Sequence, residues 1–154
     1  MADDRQLLTD LRLALRNAAL RPVYAVATEG RRVSTGQDRP RTLHDIGTVG
    51  GRGNLEQAII LRLLTPRGEL AALGHPHYGS RLHQVVGRLN NEGTRNLIKL
   101  FILESLQQEP RIREVVEVAA TPHPVHRNRV DVRLSVLPIG DTRTVEIGPF
   151  TIEL

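Results

Sequence analysis

The hydrophobic period of this chain changes at Pro110, and that change restricts the fold more than any other feature. Upstream, Asn90 to Gln108 carries Leu97, Ile98, Phe101, Ile102, Ser105 and Leu106 at helical spacing, with Leu100 and Leu103 widening the apolar face. Proline ends such a helix because it has no N–H to donate and its ring clashes with the preceding turn. Downstream the period is two. Val130, Val132, Leu134 and Val136 alternate with Asp131, Arg133 and Ser135, as in a strand buried on one face. Ile112 to Val118 reads as a second strand. Val145, Ile147, Phe150 and Ile152 read as a third, disturbed at Gly148-Pro149. Helices followed by a strand meander predict an α+β fold, with helices packed on one face of a small antiparallel C-terminal sheet.

The first part of the chain reads differently. Leu7, Leu8, Leu11, Ala14, Leu15 and Ala18 predict an amphipathic helix over 4–20, stopped at Arg21-Pro22. Val23 to Thr28 reads as extended, Glu29-Gly30 as a turn, and Arg31 to Thr35 as a short returning strand. Gly36 to Arg41 is polar, contains Pro40, and reads as a linker. The expected division is a 1–41 extension (helix, short hairpin and linker) and a 42–154 main domain. Within the latter, Asn54 reads as a helix N-cap with Gln57 in the reciprocal capping position. Thr65-Pro66-Arg67-Gly68 has the residue order of a type I turn. Gly74 to Ser80 reads as a compact loop, followed by a short helix through Val86 that Gly87 ends.

Composition narrows the chemistry. The 154 residues suffice for one ordinary domain. Tyr24, Tyr78, Phe101 and Phe150 are the only aromatics, so the core must be aliphatic and a base-stacking platform is disfavoured. Cysteine is absent, which removes disulfides, thiolate catalysis and cysteine-ligated zinc. The net charge of +4 rests on 20 arginines and Lys99, scattered without a basic stripe, so no nucleic-acid partner is expected. No run approaches the ~20 apolar residues of a membrane span. Asp3 and Asp4 are unlike the basic start of a signal peptide, so the expected place of synthesis and assembly is the cytoplasm.

Motifs for catalysis are weak. Gly47 to Gly53 lacks the Gly-Lys-Ser/Thr of a phosphate loop and the glycine spacing of a dinucleotide fingerprint. His75, His77 and His83, and His123 with His126, have no neighbouring carboxylate or cysteine to complete a metal site, so no metal or other cofactor is expected. A glycosidase needs two carboxyls roughly 5–10 Å apart across a cleft. Glu104 and Glu109 lie about 140° apart around a helix and share no face. Glu56 and Glu69 suit a first helical turn and a loop. No Gly-x-Ser-x-Gly elbow is present. The expectation is therefore a protein that is not an enzyme. Glu109-Pro110-Arg111 admits two readings. One is a helix stop with two solvated charges, which bare chemistry favours. The other is a rigid corner aiming opposite charges outward at a partner.

Read together, several segments carry a resemblance. Asn54-Leu55-Glu56-Gln57-Ala58-Ile59 leads to Arg62-Leu63-Leu64-Thr65-Pro66-Arg67-Gly68-Glu69-Leu70. Pro76-His77-Tyr78-Gly79-Ser80 and Leu82 follow, and then Glu109-Pro110-Arg111-Ile112. From about Leu43 onward the chain resembles the small baseplate wedge, or sheath-initiator, family of contractile phage tails and related injection systems, historically labelled lysozyme-like. The resemblance implies a structural subunit present in six copies around the central axis, at the junction of baseplate and sheath. It implies that Glu109, Pro110 and Arg111 dock on the core helical bundle of the wedge proteins. It also implies that the sheath protein pairs strands with the C-terminal sheet, to which Val130–Leu137 and Val145–Ile152 belong, with the accepting edge unassigned. Tube or hub proteins are further candidate neighbours. The alternative function is a peptidoglycan-cleaving, lysozyme-like glycosidase.

Overall fold

The computed structural model describes residues 7–13, 26–33 and 41–154. The elements are β1 (Thr9–Leu11), β2 (Thr28–Val33), β3 (Arg41–Ile46), β4 (Thr48–Gly50), α1 (Gly51–Leu64), α2 (Glu92–Leu106), β5 (Ile112–Pro122), β6 (Arg129–Pro138) and β7 (Val145–Glu153). Short 3₁₀ turns at Ala71–Leu73 and Leu82–Val85 lie between the two helices.

The C-terminal half follows its hydrophobic periods. β5, β6 and β7 form an antiparallel sheet in that order, with β6 central. Alternation puts Val130, Val132, Leu134 and Val136 of β6 on the buried face, joined by Val145, Ile147, Phe150 and Ile152 of β7. Ile98, Phe101, Ile102 and Leu106 of α2, and Leu55, Ile59 and Leu63 of α1, fill the same core. The fold is α+β with a largely aliphatic interior that also takes in Phe101 and Phe150. Gly148-Pro149 is a bulge on β7: Val132 pairs with Phe150 and Leu134 with Ile147, so two residues oppose Arg133. Gly148 has a φ of 102°, and a Cβ there would stand 2.7 Å from the Val132 carbonyl, so only glycine fits.

The N-terminal expectations need correction. Residues 9–11 are a strand, not helix: Thr9, Asp10 and Leu11 pair with Gly50, Val49 and Thr48. Leu7 is buried in the core. Residues 4–6 and 14–20 of the expected helix, and 23–25 of the expected extended segment, lie outside the described residues. Glu29 and Gly30 do not turn; they lie inside β2, paired with Asp45 and His44 of β3. Arg31 to Val33, expected to return as a separate strand, continue β2; residues 34–35 and 36–40 of the expected strand and linker lie outside the described residues, and Arg41 opens β3.

The physical reason for the first correction is on α1. The helix begins at Gly51, with Gly50 at the cap and no capping side chain. Asn54 and Gln57, expected as a capping pair, are inside the helix and buried. Asn54 Nδ2 donates to the Leu7 carbonyl at 2.9 Å. Gln57 Nε2 donates to the Leu11 carbonyl at 2.8 Å, and its Oε1 accepts from the Leu13 N–H at 2.8 Å. Two amides at i and i+3 on one helix face therefore hold an extended backbone across it, overriding the helical leucine spacing of that segment.

Candidate docking site

The site is built where α2 ends. Asn91 caps the start of that helix, its Oδ1 accepting from Thr94 N–H at 2.8 Å. The last turn closes through Gln107 N–H to the Leu103 carbonyl and Glu109 N–H to the Leu106 carbonyl. Pro110 then prevents continuation, and Ile112 enters β5.

Glu109 does not point outward. It is 5% exposed, and its carboxylate lies between two arginines. Arg111 Nε donates to Oε1 at 2.6 Å, and Arg62 Nη2, from α1, donates to Oε2 at 3.3 Å. Burial alone would raise the Glu109 pKa. The hydrogen bond and charge of Arg111 and the charge of Arg62 outweigh it, and the carboxyl sits below its ordinary range. Arg62 is itself buried, stacked 4.5 Å from the Tyr78 ring centroid. The expectation of two outward charges is corrected here. Pro110 is exposed, Arg111 is half-buried, and Glu109 is an internal clamp. The triad leaves Arg111 Nη1 and Nη2 without a hydrogen-bond acceptor among the described residues. They are the groups this corner can offer to an external carboxylate.

A second arginine–glutamate–arginine cluster stands beside it. Glu104 of α2 accepts from Arg67 at Oε1 and from Arg81 Nε at Oε2, the latter at 2.9 Å. The Arg81 hydrogen bond is the main cause of its lowered pKa; burial opposes it, and the charges of both arginines add to it. Arg81 also stacks 4.5 Å from the Phe101 ring centroid. Gln108 ties the second cluster to the loop, its amide nitrogen donating to the His77 carbonyl at 2.7 Å and its oxygen accepting from Arg67 at 3.2 Å.

These contacts pin the connection between α1 and α2. Ser80 N–H donates to the Thr65 carbonyl and Arg67 N–H to the Ser80 carbonyl, both at 2.8 Å. The expected 65–68 turn is displaced by one residue, because Thr65 and Pro66 are engaged with Ser80 and Glu69 N–H closes on the Pro66 carbonyl. Gly79 has a φ of 103° and lies against the Thr65 carbonyl so closely that no Cβ fits.

The histidines are placed for turns. His75 and His77 are exposed in this connection. His123 Nδ1 accepts from the N–H groups of Val125 and His126, each at 3.1 Å. Among the described residues no group of three or more His, Asp or Glu could hold a metal, and no helix is long and apolar enough to cross a membrane.

Sequence reasoning missed one hollow, of about 430 Å³, on the sheet face away from the helices. Glu117, Ser135 and Glu146 form one cross-strand row, with Arg133 and Asp131 further along β6. Ser135 Oγ donates to Glu146 at 2.7 Å. The polar alternation of β6 was visible, but Glu117 and Glu146 come from strands far apart in sequence.

No protein-family model and no curated protein matches the sequence. Among solved structures, the chain is similar to a Geobacter sulfurreducens protein provisionally named a tail lysozyme. The TM-score is 0.56 and the identity 25%, over 66% of this chain and 88% of the other.

Proposed function

We propose that this chain is a structural baseplate component of a contractile phage tail or contractile injection system, linking the baseplate wedge to the first sheath ring and templating sheath assembly. The observation that carries the reading is the likeness to a tail-named protein across 66% of the chain. In the proposal the subunit is assembled in the cytoplasm, sits in six copies around the axis, and ends in the baseplate. The α2–β5 corner docks on the wedge helical bundle. Pro110 supplies a fixed exposed shape, and Glu109 holds Arg111 so that its free amino groups meet a partner carboxylate with little entropy left to lose. The open edge of the sheet receives a sheath strand by backbone pairing. Templating and force transmission then need no bond to be made or broken.

Two carboxylates weigh against a glycosidase centred on α2. A general acid needs a raised pKa, and Glu104 and Glu109 are both lowered by arginines. The word lysozyme in the neighbour's name and the hollow beside Glu117 and Glu146 support the one rival, a peptidoglycan-cleaving enzyme. Purified chain incubated with peptidoglycan separates the two. The structural reading expects no released muropeptides. Release abolished by Glu117→Gln or Glu146→Gln would establish the rival. For the structural reading itself, the test is co-purification of the chain with sheath and wedge proteins in assembled particles, and imaging of its position there.

A further inference from the structure

The sheet has two free edges, because β6 is paired on both sides and, among the described residues, β5 and β7 are each paired on one side only. They are not equivalent. β7 is sealed and broken. Its core-facing residues Val145, Ile147, Phe150 and Ile152 are all buried, and the Gly148-Pro149 bulge splits its outer edge into two short runs, one residue of which has no N–H. β5 is open. Of its core-facing residues Ala120 is buried, but Ile112, Val115 and Val118 are only half-buried at the margin of the core. From Glu117 to Pro122 it pairs with β6 in unbroken register.

The direction of its backbone groups follows from the ladder. His123 N–H donates to the Arg129 carbonyl, so every second residue back along β5 (Thr121, Ala119, Glu117) faces β6. The N–H groups of Ala120 and Val118 face the free edge. Charge adds a constraint. Glu114 and Glu117 on β5 have no ion pair or hydrogen bond of their side chains among the described residues, although the chain carries 20 arginines.

We propose that β5, and not β7, is the strand-accepting edge, and that its occupant is an extended segment of a partner protein with apolar residues at alternate positions facing the core and a basic residue opposite Glu117. The incoming apolar row completes the cover of Val115 and Val118. The basic residue makes a cross-strand pair with Glu117. The Val118 and Ala120 amides gain acceptors. This rests on the strand-pairing part of the proposed function and goes beyond it by assigning the edge and the chemistry of the strand.

The test uses the full chain and, as probe, a short synthetic peptide alternating valine with arginine and threonine. Hydrogen exchange followed by NMR should show the Val118 and Ala120 amides slowed about tenfold or more by saturating peptide, with Thr151 and Glu153 on β7 unchanged. Val118→Pro removes an N–H that the β5–β6 ladder does not use. It should leave the circular dichroism spectrum native and abolish the protection, whereas Thr151→Pro on the other edge should retain it. A peptide changing glutamate for arginine should bind more weakly. Protection at β7, protection that survives Val118→Pro, or a β5–β5 dimer that excludes the peptide would each overturn the assignment. The two proposals fail separately. Peptide pairing at β5 without co-purification of sheath contradicts the proposed function alone. Sheath assembly unaffected by Val118→Pro contradicts the edge assignment alone.

Discussion

The two arginine–glutamate–arginine clusters share a composition and differ in depth. Glu109 is 5% exposed between Arg62 and Arg111, while the Glu104 side chain is 31% exposed between Arg67 and Arg81. In water the attraction of a pair is nearly cancelled by solvation and side-chain entropy, so Glu104 chiefly tethers a loop to a helix. Under the α2–β5 corner, removing Glu109 leaves the buried Arg62 charge without its carboxylate, so Glu109 decides whether the corner exists. A signature that looks like surface chemistry in the chain is thus an internal strut, in which Arg111 keeps Nη1 and Nη2 without an acceptor among the described residues.

Substitutions can break this contrast. Glu109→Ala should cost the most, about 3–5 kcal/mol, read as a lowered denaturation midpoint with unchanged slope. A loss equal to that of Glu104→Ala would erase the distinction. Asn54→Leu should follow, at about 1–3 kcal/mol, because it strips the buried Leu7 carbonyl of its donor. Its exchange signature should be confined to β1 and β4. A uniform loss across the sheet would show that the N-terminal strand is not a separate unit.

Acid should expose the same contrast. The Glu109 carboxyl is depressed in the folded chain, so its contribution is complete above the unfolded glutamate value of about 4.3 and is lost as pH falls through the lower folded value. Stability should therefore decline below about pH 4, and more steeply for the wild type than for Glu109→Gln, whose side chain has no proton to bind. Parallel curves would contradict the sign. Glu104→Ala should come last, at about 1 kcal/mol or less, and added salt should shrink its effect while leaving that of Glu109→Ala largely in place.

What could be read from the chain follows the range of the forces involved. β6 was legible because every residue from Val130 to Val136 reports its face by alternation, and α2 because its apolar residues recur within one turn of each other. Pro110 marked the boundary for a purely local reason. Leu7, Leu8 and Leu11 misled because their spacing is helical, while the groups that hold them extended, the Asn54 and Gln57 amides, belong to a helix more than 40 residues away in sequence. Those same two residues resembled a cap, since i and i+3 spacing serves equally to share a helix face. At the docking corner the triplet itself was visible, but its inward turn was not. Arg62 enters only through tertiary contact, 47 residues from Glu109.

In the proposed function the 109–111 corner joins this subunit to a larger assembly through Arg111. Arg111→Ala separates that role from folding, since Glu109 keeps Arg62 as a partner. The direct measurement is the amount of Arg111→Ala subunit in purified particles, beside the melting temperature of the same purified variant. The account predicts a variant that folds with a lowered melting temperature, because Glu109 keeps only the 3.3 Å contact to Arg62, and that is absent from particles assembled well below that temperature. A folded Arg111→Ala subunit incorporated at the wild-type level would contradict it.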